Sequence, residues 1–219
     1  METNRLISIV MATNLEAKPF LQNMTKIEKE PFTVYSSDKF ILIISGIGKV
    51  NASMATTFSI LKFKPSFIYN LGAAGSTTFN QKLGDIYHIT SIIEYDRLNF
   101  HSKSYYTHTP DVLEGFPYAK VATQDKPVIE ASKREEISKF SELVDMEASA
   151  VSQACKKFNI PCYIFKFVSD TPDHDSDNDI VDNIKKYRTA FYDFSLDKLF
   201  SNSSSIFADN SRALKGFVI

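Results

Sequence analysis

Val144-Asp145-Met146-Glu147-Ala148-Ser149-Ala150, followed by Phe165-Lys166-Phe167-Val168-Ser169-Asp170, is the stretch around which the chain is organised. An acid opens a helix of small residues, and a second acid closes the β-rich run after it. Ala150, Val151, Ala154 and Cys155 recur at helical spacing, which predicts one apolar face. Asn159-Ile160-Pro161 ends the helix, because proline disfavours helical dihedrals in the residue before it. Cys162 to Val168, mostly β-branched and aromatic, predicts a strand. A helix and a strand with a carboxylate at each far end gather acids over one edge of an α/β sheet. Each acid alone has a plainer reading. Glu147 suits a helix N-terminus facing the macrodipole, and Asp170 suits a turn before Pro172.

The 219 residues are enough for one sizeable α/β domain and short for two. Hydrophobic residues make up 43% and charged residues 23%, ordinary for a globular chain. A net charge of −1, with Lys and Arg scattered among acids, argues against a nucleic-acid footprint. The apolar run Leu6 to Ala12 lacks the flanks of a signal peptide. No apolar stretch is long enough to span a bilayer. Cys155 and Cys162 have neither metal nor redox spacing, so the expected setting is a reducing cytoplasm.

Working outward, Leu6 to Ala12 reads as a buried strand. Thr13-Asn14 reads as a turn and helix cap, followed by a short helix from Leu15 to Asn23 with Pro19 in its first turns. Phe32 to Ser36 and Phe40 to Ser45 form a hairpin around Ser37-Asp38. A helix runs from Val50 to Phe63 after Gly46-Ile47-Gly48-Lys49. The strand Phe67 to Leu71 then ends in Gly72-Ala73-Ala74-Gly75. Five of the seven glycines lie between Gly46 and Gly84, which marks tight turns or close approach of backbone to a ligand. Gly84-Asp85 turns the chain into a strand from Ile86 to Tyr95, and Asn99 to Gly115 reads as a mobile loop. Ala119 to Thr123 is a strand, and Val128 to Lys139 is a surface helix crowded with Glu and Lys. Ile180 to Phe200 is helical. Ser201 to Ser205 is of low complexity and prone to fray.

Several chemistries are excluded. Neither glycine cluster carries the dinucleotide fingerprint, and no phosphate loop ends in Gly-Lys-Ser or Gly-Lys-Thr. Asp173 to Asp179 alternates acids like a calcium loop, yet Asn178 stands where glycine is required and Ile184 where the bidentate Glu belongs. The four histidines are too dispersed for a metal site. Neither a metal nor a cofactor is expected.

Six motifs in collinear order resemble the purine nucleoside phosphorylase/nucleosidase superfamily. They are Ile7 to Glu16, Ser45-Gly46-Ile47-Gly48-Lys49-Val50, Asn70 to Gly75, Gly84-Asp85, Val144 to Ala148 and Val168-Ser169-Asp170. The likeness is greatest to 5′-methylthioadenosine/S-adenosylhomocysteine nucleosidases and covers roughly residues 5 to 200. It implies a single-domain three-layer α/β/α fold around a central mixed, twisted β-sheet, over residues 1–200, with a C-terminal tail at 201–219. It also implies hydrolysis of a purine nucleoside's N-glycosidic bond, through an oxocarbenium-like transition state. Asp170 then protonates or hydrogen-bonds the purine N7, positioned by Ser169, and a desolvated pocket favours its protonated form. Glu147 binds the ribose hydroxyls with Met146 against the sugar, and Glu16 is the general base for water. Ala73, Ala74 and Gly75 line the base and the water, and Phe100 contributes to substrate binding. A homodimer is expected by the same resemblance, with part of the 97–115 loop reaching the neighbour's site.

Hydrolysis is favoured over phosphorolysis, because the loop Met11 to Glu16 offers a carboxylate, repulsive to phosphate, where phosphorylases supply Gly and Arg. The substrate stays open. Asn14-Leu15 replaces an acidic run. Pro127 or Val128 stands where an aromatic residue usually stacks on the base. Tyr95 to Phe100 departs from a histidine-and-acid pattern and introduces Arg97, which either meets a substrate carboxylate or lies at the surface. Futalosine hydrolysis is therefore an alternative. A phosphorylase and a non-catalytic nucleoside-binding protein come after it.

Overall fold

Two long strands, β5 (Phe67–Ser76) and β10 (Cys162–Asp170), lie side by side in parallel and are buried almost along their whole length. With both faces covered, their side chains sort by partner layer rather than by polarity. Ile68, Ala74, Cys162, Ile164 and Val168 point to one face, and Phe67, Tyr69, Leu71, Tyr163, Phe165 and Phe167 to the other. The remaining strands of this computed structural model are β1 (Ile7–Met11), β2 (Thr25–Glu28), β3 (Thr33–Ser36), β4 (Phe40–Ile44), β6 (Ile86–Leu98), β7 (Tyr105–His108), β8 (Tyr118–Thr123) and β9 (Leu143–Asp145). The helices are α1 (Asn14–Ala17), α2 (Lys49–Phe63), α3 (Ala131–Ser138), α4 (Ala148–Lys157) and α5 (Asp177–Phe194). The structure describes residues 6–174 and 176–201, so the expected tail lies outside the described residues beyond Ser201. None of the described helices is long and apolar enough to cross a membrane.

The sheet is mixed and runs β10-β6-β8-β9-β5-β1-β4-β3-β2, with β7 beside β6. Because β10 also pairs with β5, the strands β5, β10, β6, β8 and β9 close into a ring. One edge of β5 serves two partners: Phe67 to Asn70 pair with β1, and Gly75 and Ser76 pair with β9. Helices α2 and α4 cover the face of Ile68 and Ile164, burying Ala52, Ile60, Ala150, Val151 and Cys155. On the opposite face, α1 and α5 bury Ala17, Ile184 and Phe191 against the aromatic row. Each large apolar side chain so buried contributes about 1.5–3 kcal/mol. The outcome is the expected three-layer α/β/α arrangement.

Four local expectations need correction. The helix Leu15 to Asn23 is broken into α1 and a 3-10 turn at Phe20–Asn23. Pro19 has no N–H to give the Leu15 carbonyl, and Arg188 Nη1 of α5 fills that bond at 2.8 Å. The strand from Phe67 does not stop at Leu71 but continues through Gly72-Ala73-Ala74-Gly75, paired to β10 throughout. The 99–115 segment contains β7, and Thr25–Glu28 forms an edge strand whose exposed faces carry no alternation to read. The surface helix expected from Val128 to Lys139 is α3, and it buries Arg134 completely.

Candidate active site

The C-terminal ends of β1, β5 and β10 meet β9 and the entry to α4 around a cavity of about 500 Å³, ordinary for a small-molecule site. Its wall includes Glu16, Ala73, Ala74, Gly75, Met146, Glu147, Ser169 and Asp170. These are eight of the nine residues expected from the sequence. The ninth, Phe100, does not line it: the ring is 80% exposed, beside Lys103 and His101. Phe100 is therefore no part of this chain's own cavity.

Glu16 is held by a capping box at the start of α1. Its Oε2 accepts from Thr13 N at 3.0 Å and Thr13 Oγ1 at 2.7 Å, while Thr13 Oγ1 accepts from Glu16 N at 3.2 Å. Its Oε1 accepts from Ala73 N at 2.8 Å. Three of a carboxylate's roughly four acceptor sites are thus occupied. One site remains for a cavity molecule.

Glu147 sits at the N-cap of α4 and is 7% exposed. Its Oε1 accepts from Gly48 N at 2.9 Å. Gly48 presents that N–H from φ +97°, a conformation side chains rarely adopt. Beside it, Asp145 accepts from Thr123 Oγ1 at 2.6 Å, from Ala148 N at 2.8 Å and from Lys166 Nζ at 2.9 Å. Lys166 is buried in the middle of β10. Burial alone would lower its pKa, but Asp145, Glu147 and Glu16 outweigh that and raise it. For Glu147 desolvation dominates and pushes the carboxyl up to about 7, with Asp145 and Glu16 adding to it and Lys166 and the Gly48 N–H opposing.

That shift has a signed consequence. The folded protein holds a proton on Glu147 that the unfolded chain, titrating near 4.5, has released. Stability contributed by this group is therefore full below the unfolded value and lost as pH rises toward about 7. Urea unfolding of the ligand-free protein and of Glu147→Gln should show their stability difference moving against the wild type by on the order of 3 kcal/mol across that window. A difference independent of pH would refute it.

Asp170 is 4% exposed. Ser169 Oγ donates to its Oδ1 at 2.5 Å, and Arg134 Nη2 donates to its Oδ2. Arg134 Nη1 donates to the Ser76 carbonyl at 2.6 Å. Gly75 passes beneath this cluster, where a Cβ would stand 2.5 Å from Asp170 Oδ2 and 2.9 Å from Arg134 Nη1. The sequence carries no sign of Arg134, which sits in a Lys- and Glu-rich helix. Lys166 does leave a sign, as a lone cation between Phe165 and Phe167.

The rest of the wall is largely apolar. Pro127 and Val128 stand where an aromatic was expected to be replaced, with Lys126 beside them, and Ile180, Val181 and Ile184 of α5 face the cavity. Arg97 lies outside it: half-exposed, 3.3 Å from Glu94 Oε2 and over the Tyr106 ring at 4.4 Å.

A mixed sheet with this strand order gathers five carboxylates around one cavity, Glu16, Asp145, Glu147, Asp170 and Asp177. The sequence matches the phosphorylase superfamily over residues 7–131 and 117–200, and the chain belongs to that family. Among its relatives is a 5′-methylthioadenosine/S-adenosylhomocysteine nucleosidase of Buchnera aphidicola, 34% identical over 170 residues, covering 67% of this chain and 72% of that protein. The fold is shared with a Helicobacter pylori nucleosidase of the same name, solved with butyl-thio-DADMe-Immucillin-A. That match has a TM-score of 0.78 at 22% identity and covers 90% of this chain and 100% of the other. It is also shared with a Helicobacter pylori futalosine hydrolase, at TM-score 0.78 and 22% identity, covering 91% and 100%.

Proposed function

We propose that this enzyme hydrolyses the N-glycosidic bond of a purine nucleoside of the 5′-methylthioadenosine/S-adenosylhomocysteine type and releases the free base. One observation carries the reading: Glu16, Glu147 and Asp170 border one cavity in three different chemical settings. Glu16, with one acceptor site open, takes a proton from water as the water oxygen bonds to C1′. Glu147 accepts from the ribose hydroxyls, with Met146 against the sugar. Asp170 supplies or shares the proton that the purine N7 needs as the C1′–N9 bond breaks. The balance is nucleoside plus water to free sugar plus neutral base carrying its new proton on N7; Glu16 gains one proton and Asp170 loses one, and exchange with solvent restores both. Ala73, Ala74 and Gly75 border base and water.

Hydrolysis rather than phosphorolysis follows from the charge of the wall. Lys126 is its one basic side chain among the described residues, whereas Glu16 occupies the loop after β1. Incubation with methylthioadenosine, adenosylhomocysteine and futalosine, each with and without phosphate, tests this through the base released. Turnover of the first two without phosphate is expected. Phosphate-dependent turnover would overturn it, and turnover of futalosine alone would move the substrate.

A homodimer in the cytoplasm accompanies this proposal. Exposed Val50 and Met54 on α2, and exposed Phe100 outside its own cavity, support a second copy. The two cysteines, buried and free, suit a reducing compartment.

A further inference from the structure

Arg134 raises a question that the proposed chemistry leaves unanswered. Its side chain is fully buried, it does not border the cavity, and it comes from a helix of otherwise surface composition. A guanidinium stays charged in any protein interior, and burying it costs several kcal/mol before its partner is counted. Anchoring α3 to the sheet does not require that cost. Ile137 already packs with Ala122, Val128 and Val144, and an apolar side chain at 134 would serve as well or better. What an apolar side chain cannot do is fix the rotation of a carboxylate.

The surroundings are arranged for that task. Arg134 and Ser169 take one oxygen each of Asp170, which sets the plane of the carboxyl. The Ser76 carbonyl holds the other arm of the guanidinium. Gly75 lacks the Cβ that would part the two heads. Among the described residues Arg134 Nε has no partner, so the guanidinium is oriented for its two Nη groups rather than for its own full satisfaction. We propose that Arg134 is a positioning residue for the proposed reaction, holding Asp170 at the angle from which its free lone pairs meet the leaving base. This deepens the proposed function and rests on its assignment of Asp170.

Other titratable groups are near. Glu16, Asp145, Glu147, Lys126 and Asp177 border the same cavity, while His174 on the loop after β10 is engaged by Thr171 and Asp173. Arg134 is the cation in contact with Asp170 itself.

The test is steady-state kinetics of Arg134→Met and Arg134→Lys, using the nucleoside turned over in the assay above. Because Arg134 touches no substrate, kcat should fall on the order of 100-fold for Arg134→Met, as for a misplaced catalytic group, with KM within about threefold. Arg134→Lys keeps the charge without the planar fork, so it should recover only part of kcat. If Arg134→Met does not fold, the lysine variant carries the test, and an unaltered kcat there refutes the idea. Asp170→Asn with Arg134→Met should be no slower than Asp170→Asn alone; multiplied losses would show that Arg134 acts elsewhere. An active Asp170→Asn overturns the underlying function instead. An inactive one beside normal Arg134 variants overturns only this inference.

Discussion

Asp170→Asn is expected to lower kcat by on the order of 10³-fold, the scale of one general acid. The side chain keeps its shape but cannot deliver a proton, and its amide adds donors among existing donors. Asn presents one carbonyl oxygen to the two partners that Asp170 serves with two, Ser169 Oγ and Arg134 Nη2. The substitution also leaves the fully buried Arg134 without its counter-charge, and breaking such a pair costs about 3–5 kcal/mol. The expected result is thus a folded but less stable protein with almost no turnover. Denaturant unfolding and base release measured on the same sample check both parts. Near-normal release from the folded variant would remove Asp170 from the mechanism.

Glu16→Gln is the second large effect. The two carboxylate oxygens now serve Thr13 from one side and Ala73 from the other. Gln has one acceptor oxygen, so it can satisfy only one side and turns a donor toward the other. Because Gln can keep either the capping box or the Ala73 bond but not both, the lost hydrogen bond should cost about 1 kcal/mol in stability. Loss of the base should cost on the order of 10²–10⁴ in kcat, while KM changes little if Glu16 meets water rather than substrate. Single-turnover release at saturating nucleoside separates the two. A variant that keeps kcat within about tenfold and raises KM would make Glu16 a binding group.

Much of the fold is legible in the chain because burial leaves periodic marks. The row Ala150, Val151, Cys155 on α4 and the run of aromatics in β10 state their faces directly. Other parts leave no such mark. Thr25–Glu28 is a strand at an exposed edge, so its side chains show no alternation. Gly72 to Gly75 reads as a loop because glycine and alanine are poor strand formers. It is a strand because β10 pairs along it.

The site divides in the same way. By itself the sequence determined the α/β reading from local pattern, and through the resemblance carried by the ordered motifs it pointed to the three-layer fold and to the acids Glu16, Glu147 and Asp170, each at the end of a locally patterned element. Only the tertiary structure decided how those acids are held. Gly48 meets Glu147 across 99 positions, Ala73 meets Glu16 across 57, and Arg134 meets Asp170 across 36. It also put Phe100 outside the cavity and Arg134 inside the protein. The physical reason is that hydrophobic periodicity reports which face of an element is buried, whereas a charge pair depends on where two elements end relative to each other. That relation is set by strand register and ring closure, which no single segment encodes.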